Sequence, residues 1–213
     1  MKVKYFDLKN KRVFISGGGS GIGATIVEHF CEQHSEVYFI DINIKASKQL
    51  IKKIKKNRFR VPKFIECNVL DIKKLQNIIK DIISKKGPIH CLINSAANDD
   101  RHSTEQVDEK YWENRMGINL KHYFFAAQSV VKGMKKIKSG SIVNLSSVSW
   151  VLGEGDKVVY ETAKSAVIGL TRSFAQEFGK YNIRTNSVIP GSIATERQIK
   201  NWLTPKYKKL ILD

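Results

Sequence analysis

The chain carries a glycine-rich turn, Ser16-Gly17-Gly18-Gly19-Ser20-Gly21-Ile22-Gly23, between the apolar run Arg12–Ser16 and a helical pattern. Gly17, Gly21 and Gly23 lack a Cβ at points suited to a tight turn, a close approach to a pyrophosphate and close packing of helix on strand. The N-terminus of the helix then faces the phosphates. The turn therefore predicts a dinucleotide-binding strand-turn-helix, with a plain glycine loop as the alternative.

Strand-like and helix-like patterns alternate along the rest of the chain. Six short apolar runs predict the strands Arg12–Ser16, Val37–Asp41, Lys63–Cys67, His90–Asn94, Ser141–Ser146 and Arg184–Ile189. Apolar residues recur at helical spacing between most of these runs. The alternation predicts an α/β, three-layer Rossmann fold with a doubly wound parallel sheet of six strands, in a single domain over residues 1–213.

Asp41 ends the second predicted strand, shortly after the glycine turn. A carboxylate at this place accepts hydrogen bonds from the adenosine ribose hydroxyls and repels a 2′-phosphate, so NAD is favoured over NADP. Two observations leave open a weaker preference against NADP and a purely structural role for Asp41. Lys45 lies nearby and would soften the repulsion, and an aspartate at a strand end is often a helix cap.

Tyr160 and Lys164 stand four residues apart in a helical pattern, so they project from the same face. An adjacent ammonium and a positively charged nicotinamide stabilise a phenolate, and the pair therefore predicts that Tyr160, with its pKa lowered in this way, acts as general base. Ser147 follows the fifth predicted strand. Its position makes the combination more specific than the tyrosine–lysine pair alone.

The composition is that of one globular domain, with 213 residues of which 42% are hydrophobic. The apolar runs are of strand length and the start of the chain lacks the apolar stretch of a signal peptide. A cytoplasmic protein without a membrane segment is therefore expected. The three scattered cysteines, Cys31, Cys67 and Cys91, suggest neither a disulfide framework nor a metal site.

The net charge is +17, and the densest basic stretch is Lys45–Arg60. Its lysines are spaced between apolar residues such as Leu50 and Ile54, which is typical of the solvated side of an amphipathic helix. The alternative is a nucleic-acid surface, but aromatic residues barely interleave with the lysines. Nonspecific attraction to anions is expected, and a specific nucleic-acid partner is not.

Together these motifs resemble the short-chain dehydrogenase/reductase family in order and spacing, over essentially the whole chain. The resemblance implies a catalytic tetrad of Asn119, Ser147, Tyr160 and Lys164. It implies that Tyr160 removes the hydroxyl proton as a hydride leaves carbon, and that Ser147 hydrogen-bonds the same oxygen. Lys164 would bind the nicotinamide ribose and lower the tyrosine pKa, while Asn119 would hold a water of the proton relay.

The same resemblance implies a set of residues around NAD. They are Gly17, Ser20, Gly21, Ile22, Gly23, Asp41, Asn68, Val69, Asn94, Ala96, Tyr160, Lys164, Pro190, Gly191, Ile193 and Thr195. The chain departs from the family pattern at Asn68, where an aspartate is usual, and at Ser95-Ala96-Ala97, where Asn-Ala-Gly is usual. Both departures are expected to weaken adenine binding modestly.

A narrower resemblance, to the aldose 1-dehydrogenases, rests on residues 96–102, 119–128, 147–150 and 195–204. It implies oxidation of the anomeric hydroxyl of a sugar such as xylose, arabinose, galactose or fucose to the lactone. The implied substrate-binding residues are Asn98, Asp99, Ser147, Trp150, Tyr160, Gln198 and Trp202. Alternatives are a solvated loop with local salt bridges at residues 99–101, a carbonyl, polyol or 3-oxoacyl reductase of the same family, and an inactive cofactor-binding remnant.

The end of the chain departs from the resemblance, because the family continues with another helix and a seventh strand whereas this chain stops at Asp213. The family's seventh strand is therefore expected to be absent, as in a fragment, a frameshifted product or a degenerate paralogue. An exposed sixth strand predicts a poorly stable and weakly active protein. The resemblance also implies a homodimer or homotetramer through helices that begin near Trp112 and Lys157.

Overall fold

One parallel sheet forms the centre of the computed structural model, which describes residues 3–205. The strands lie in the order β3-β2-β1-β4-β5-β6. They are β1 (Arg12–Ser16), β2 (Glu36–Asp41), β3 (Lys63–Glu66), β4 (Cys91–Asn94), β5 (Gly140–Leu145) and β6 (Ile183–Val188). All neighbouring pairs run parallel. The predicted α/β Rossmann fold with six parallel strands is confirmed.

Helices cover both faces of this sheet. The described α-helices are α1 (Gly21–Glu32), α2 (Ile44–Lys56), α3 (Ile72–Lys86), α4 (Glu109–Met116), α5 (His122–Ile137), α6 (Ser149–Leu152), α7 (Val158–Phe178) and α8 (Glu196–Asn201). A π-helical turn, Gly117–Lys121, joins α4 to α5. Within residues 3–205, no helix combines the length and the apolar character that crossing a membrane would require.

Strand β1 separates two hydrophobic cores. Val13 and Ile15 pack with residues of α1 and α2 on one face, whereas Phe14 packs with residues of α3, α5 and α7 on the other. All three side chains are fully buried. A strand that is covered on both faces needs apolar residues at every position rather than at alternate ones. This requirement explains the continuous apolar run that the sequence shows here.

The winding of the chain reverses between β1 and β4. From β1 the chain proceeds outward through β2 to β3, then crosses back to β4 and continues outward to β6. Ser16 and Asn94 pair in register at the carboxyl ends of β1 and β4. The loops after these two strands lead to opposite sides of the sheet, so a crevice opens between them.

Seven of the predicted strand ends differ from the structure by one residue, among them the start of β4 and the end of β6. β4 begins at Cys91 and not at His90, because the N–H of Arg12 donates to the imidazole Nδ1 of His90 at 3.0 Å. β6 ends at Val188 and not at Ile189, because Pro190 follows and restricts the residue before it. The remaining predicted ends coincide with those of the structure.

Strands β3 and β6 form the two edges of the sheet within the described part of the chain. β6 therefore pairs with β5 alone among residues 3–205, as the six-stranded prediction requires. The predicted single domain extends to residue 213 and thus includes residues that lie outside the described part.

Candidate active site

A cleft of about 660 Å³ opens at the carboxyl edge of the sheet, between loops that follow all six strands. Most predicted site residues line it: Gly17, Ser20, Gly21, Ile22, Gly23, Asp41, Asn68, Val69, Ala96, Asn98, Asp99, Ser147, Tyr160, Lys164, Pro190, Gly191, Ile193, Thr195 and Gln198. Four others, Asn94, Asn119, Trp150 and Trp202, are not part of the lining. The fold thus brings distant parts of the sequence to one crevice.

The glycine turn is packed too closely to admit side chains. Gly17 has a φ of +70°, and a Cβ on it would lie 2.6 Å from the Cα of Ala96. A Cβ on Gly23 would lie 1.9 Å from the carbonyl oxygen of Gly17, so α1 begins directly against the turn. At Gly21 the constraint is the backbone, whose φ of +53° strains residues with a side chain, and a Cβ there would make ordinary contact with Thr195 at 3.4 Å. The turn therefore forms one wall of the cleft, with the segment after β6 facing it.

Asp41 lies at the end of β2 with its carboxylate against the glycine turn. One oxygen accepts the N–H of Gly19 at 2.8 Å and the other accepts the N–H of Asn43 at 2.8 Å. The N-cap of α2 is Asn43, whose side chain accepts the N–H of Ala46. Asp41 is therefore not the cap of α2, and its carboxylate is held facing the cleft.

Asn68 and Val69 line the cleft after β3. β3 is the neighbour of β2, so these residues lie in the same half of the sheet as Asp41. The Asn68 side-chain oxygen accepts the N–H of Leu70 at 3.0 Å. Asn94 lies beneath the cleft and is fully buried, and its amide donates to the Asn144 side chain at 2.9 Å. Asn94 thus connects β4 to β5 below the cleft.

Tyr160 and Lys164 project from α7 towards the end of β5. Lys164 is 1% exposed, and its Nζ donates to the carbonyl of Leu145 at 2.6 Å and to the phenol of Tyr123 at 3.0 Å. The same Nζ lies 5.5 Å from the centroid of the Tyr160 ring. The Ser147 hydroxyl lies 2.9 Å from that of Ser149. Three members of the predicted tetrad therefore line one region of the cleft.

Burial moves the pKa values of Tyr160 and Lys164 in opposite directions. It raises the pKa of the Tyr160 phenol to about 12, although a hydrogen bond from Ser147 and the cations Arg101 and Arg197 act against the rise. It lowers the pKa of the Lys164 ammonium to about 7, with Asp99 acting against the fall. In the protein's own groups desolvation thus outweighs the nearby charges, and the lowering of the Tyr160 pKa by Lys164 together with a bound nicotinamide stays a prediction.

Asn119 lies in the π-helical turn and is fully buried. Its side-chain oxygen accepts the N–H of Asn98 at 2.8 Å, and its amide donates to the Asn98 carbonyl at 3.0 Å. The side chain of Asn119 therefore fixes the backbone of the loop after β4. π-helical turns inside α-helices are frequent at functional sites.

The far wall of the cleft consists of paired charges. The Asp99 carboxylate accepts from the Gln198 amide at 2.7 Å and lies 3.1 Å from the Arg197 guanidinium. Arg197 also contacts Asp100 at 2.6 Å, and Asp100 contacts Arg115 at 3.0 Å. These contacts join α8 to the loop after β4 across the mouth of the cleft, and they are compatible with the alternative of a salt-bridged loop at residues 99–101.

The two predicted substrate tryptophans are not among the residues that line the cleft. The Trp202 ring is covered by the Arg101 guanidinium, 4.9 Å from the ring centroid. Trp150 belongs to the short helix α6. The indole N–H of each is buried and, within residues 3–205, has no hydrogen-bond partner. The structure therefore places neither ring on the cleft surface.

Lys157 and Glu154 line the cleft and were not predicted as site residues. Lys157 is 4% exposed, contacts Glu154 and lies 3.5 Å from Asp156. Burial lowers the pKa of Lys157 to about 8. No signal in the sequence would have found this pair, because charged residues between Gly153 and Gly155 and next to a helix start are typical of a solvated loop.

The segment between β6 and α8 crosses the open side of the cleft. The Pro190 carbonyl accepts the N–H of Val148 at 3.0 Å, which ties the segment to the loop after β5. Thr195 caps α8 by accepting the N–H of Gln198 at 3.3 Å. Pro190, Gly191, Ile193 and Thr195 all line the cleft. The cleft is thus bordered by the predicted cofactor residues at one end and by the charged wall at the other.

The cleft fits an adenine dinucleotide better than it fits a metal. The described residues contain no group of three or more histidine, cysteine or carboxylate side chains that could hold a metal ion. A crevice lined by Gly21 and Ser20 at the N-terminus of α1, with the Asp41 carboxylate beside it, has the donors and the space that a pyrophosphate and a ribose need.

Comparison with known proteins gave concordant matches. A family model described as short chain dehydrogenase matches residues 11–205. The protein named "Probable galactose dehydrogenase GalD" of Rhizobium meliloti is 40% identical over 198 residues, which are 93% of this chain and 77% of that protein. D-xylose 1-dehydrogenase of Caulobacter vibrioides is 41% identical over 202 residues, 95% of this chain and 79% of that protein. The crystal structure of Cj0485 dehydrogenase matches with a TM-score of 0.84 at 26% identity, over 97% of this chain and 79% of that one.

Proposed function

The chain belongs to the short-chain dehydrogenase family, an oxidoreductase family that acts on CH–OH groups, and we propose that it oxidises the anomeric hydroxyl of an aldose to the lactone with NAD. Two relatives about 40% identical are named for galactose and xylose dehydrogenation, which supports this substrate class. The observation that carries the proposal is the charged wall opposite Tyr160, centred on Asp99.

The pairing within that wall favours a neutral, polyhydroxylated substrate. Arg197 is neutralised by Asp99 and Asp100, and Arg101 lies 3.1 Å from Asp156. Lys157 contacts Glu154. A phosphorylated carrier would need cations free to receive it, whereas a sugar needs fixed donors and acceptors, which paired charges supply.

We assign the substrate-binding role first to Asn98, Asp99, Ser147 and Gln198. Asp99 has one carboxylate oxygen bound to Gln198 and the other near Arg197, so lone pairs on both remain for sugar hydroxyls. Under this proposal Trp202 packs against Arg101 beside the wall, and the role of Trp150 at the substrate stays a prediction. Tyr160 would contact the hydroxyl that is oxidised.

NAD is the proposed cofactor because of Asp41. Its carboxylate faces the cleft beside the glycine turn, where it would accept from ribose hydroxyls and repel a 2′-phosphate. Ser20, Gly21 and Ile22 would hold the pyrophosphate, Asn68 and Val69 would border the adenine, and Ile193 and Thr195 would border the nicotinamide. When bound, NAD supplies the acceptor for the hydride and a positively charged ring that lowers the pKa of a neighbouring phenol.

The chain's own residues handle the proton. Tyr160, as phenolate, takes the proton of the anomeric hydroxyl while the oxygen becomes the carbonyl of the lactone. Ser147 donates a hydrogen bond to that oxygen. Lys164 lies beside the Tyr160 ring and stabilises its negative charge. Asn119 holds the loop that carries Asn98 and Asp99, and its predicted water remains part of the proposal.

A panel of aldoses with NAD, followed by the ultraviolet absorbance of NADH, tests the proposal. We expect turnover of neutral aldoses such as galactose or xylose, and loss of that turnover in Tyr160→Phe. Turnover with 3-oxoacyl thioesters and none with aldoses would overturn the sugar assignment. NAD binding without turnover of any alcohol would favour a cofactor-binding remnant instead.

We also propose a cytoplasmic homo-oligomer built through α4, α5 and α7. Support comes from large apolar side chains that these helices expose: Trp112 is 38% exposed, Phe124 40% and Val158 37%. Light scattering on the protein as it elutes from a size-exclusion column should give the molar mass of a dimer or a tetramer. A monomer at micromolar concentration would contradict this assembly.

A further inference from the structure

Tyr123 lies directly beneath the cleft and takes no part in the function proposed above. It belongs to α5 and is fully buried. Its hydroxyl lies 3.0 Å from Lys164 Nζ, 3.0 Å from the Leu145 carbonyl and 3.4 Å from the Ala96 carbonyl. The phenol therefore contacts the predicted catalytic lysine and the strand ends on both sides of it.

The directions of these hydrogen bonds follow from the groups involved. Carbonyl oxygens can only accept, so the single phenol proton points to Leu145 and Ala96. The phenol oxygen is then left to accept from the Lys164 ammonium. The Leu145 carbonyl accepts a second N–H of the same ammonium at 2.6 Å. Two of the three N–H bonds of Lys164 are thus committed beneath the cleft, which leaves the third for a group above it.

We propose that Tyr123 is a positioning residue for the proton transfer: its phenol holds the Lys164 side chain in the one orientation that serves Tyr160. The inference rests on the proposed roles of Tyr160 and Lys164 in aldose oxidation. The Lys164 Nζ lies between two tyrosine rings, 5.1 Å from the centroid of Tyr123 and 5.5 Å from that of Tyr160. Removing the lower contact would leave the Lys164 ammonium with the Leu145 carbonyl as its remaining partner beneath the cleft, so one hydrogen bond rather than two would fix its orientation.

The phenol is itself held from several sides. The Tyr123 ring meets the His122 ring edge to face, with centroids 4.5 Å apart. The Tyr123 carbonyl accepts from the Asn94 amide at 3.4 Å. Asn119, one turn earlier, cannot take over the contact with its side chain, because both ends of its amide are bonded to Asn98. Within residues 3–205, Tyr123 is thus the side-chain acceptor for Lys164 on this side.

The charges around Lys164 give the direction of the expected change. Asp99, from the loop after β4, raises the pKa of Lys164, whereas burial lowers it. Tyr160 faces it from α7, and His122 and Tyr123 face it from α5. An acceptor for an ammonium proton favours the charged form. Without the Tyr123 hydroxyl, Lys164 should therefore lose its proton at a lower pH than in the parent protein.

Tyr123→Phe tests the proposal, with Tyr38→Phe as the matched control. Tyr38 is also a buried phenol, but its hydroxyl donates to Glu36 and is remote from the cleft. Turnover of the aldose should fall about 10- to 100-fold in Tyr123→Phe, since small displacements of a catalytic group cost this much. NMR of protein labelled at the lysine Cε should show Lys164, assigned with Lys164→Met, titrating at lower pH. Neither change is expected in Tyr38→Phe.

The two readouts separate this inference from the proposed function. If the parent oxidises no aldose, the NMR titration still reports whether Tyr123 acts on Lys164. Unchanged turnover and an unchanged Lys164 titration in Tyr123→Phe would overturn the proposal, as would equal changes in both variants. If Tyr123→Phe does not fold, the chemical shift of Tyr123 Cζ in the parent is measured against pH instead. Under the proposal this shift changes with the pKa of Lys164. A shift that does not change as Lys164 titrates would overturn the proposal.

Discussion

Tyr160 is the residue on which the proposed proton transfer depends. We expect Tyr160→Phe to lower kcat by roughly three orders of magnitude, because the variant keeps the ring and loses the proton acceptor. NAD binding, measured by calorimetry, should persist. Tyr181→Phe, in the 3-10 turn Gly179–Tyr181 that follows α7, is the control and should behave as the parent. Near-parental turnover in Tyr160→Phe would exclude this residue as the base.

Asp41 is expected to set the choice between NAD and NADP. In Asp41→Ala the repulsion of a 2′-phosphate and the acceptor for ribose hydroxyls are both lost. The ratio of the Kd for NADP to the Kd for NAD should therefore fall about 10- to 100-fold, a change of about 1.4–2.8 kcal/mol. Asp81→Ala removes an exposed carboxylate that pairs with Lys85 and should leave the ratio unchanged. Equal ratios in both variants would place the Asp41 carboxylate away from the ribose.

At the residue scale, the sequence predicts which side chains belong to the candidate site better than it predicts the buried residues that contact them. Tyr160, Lys164 and Ser147 follow from spacing, because a helix fixes which residues share a face. Tyr123 and Lys157 do not, because their roles depend on burial beside residues that are distant in the chain. A buried tyrosine in an apolar helix pattern is indistinguishable in sequence from any other core aromatic.

At the scale of elements, the junction between the glycine turn and α1 tolerates no added atom. Gly23→Ala should destabilise the fold and abolish NAD binding, because its Cβ would overlap the Gly17 carbonyl oxygen. Gly169→Ala, in α7, is the control, since a Cβ there meets nothing within 4 Å. That variant should keep or raise Tm by the ordinary helix preference for alanine. A Gly23→Ala protein with parental Tm and NAD affinity would contradict the packing described.

The strands could be predicted closely because all are short and the central ones are apolar, as in β1 and β4. The order of the strands in the sheet cannot be predicted from any single strand sequence. It depends on which edge of β1 is still unpaired when β4 packs beside it. The π-helical turn at Gly117–Lys121 was also outside prediction. One reason is that Gly117 packs against a residue far away in the sequence. A Cβ on Gly117 would lie 2.5 Å from the Leu70 side chain.

For the molecule as a whole, a buried histidine is expected to govern stability in acid. Burial first, and the Lys164 charge second, lower the pKa of His122 from 6.5 to about 3. His122 therefore stays neutral in the folded protein at a pH where the unfolded chain binds a proton. The free energy of unfolding should fall as the pH drops from about 6.5 to about 3, by roughly 5 kcal/mol at most.

His122→Gln isolates this contribution. The Ser16 hydroxyl accepts from the N–H groups of Ser95 and Ala96, so its own proton is available for the His122 Nε2 at 3.2 Å. Glutamine offers an acceptor there without titrating. Urea unfolding at neutral pH and at pH about 4 should show a smaller loss of stability in His122→Gln than in the parent. His29→Gln, at a side chain 69% exposed, should lose as much as the parent, and an equal loss in all three proteins would refute the assignment.

The position of β1 at the centre of the sheet constrains how a growing polypeptide acquires its shape on the ribosome. Val13 pairs with Val37 on one side and with Cys91 on the other, so the second partner emerges long after the first. Until then one edge of a strand that carries Phe14 and Ile15 stands open, and distant pairings of this kind form slowly. A nascent chain arrested before Cys91 is therefore expected to recruit general chaperones through that edge, and one arrested well beyond Asn94 should release them.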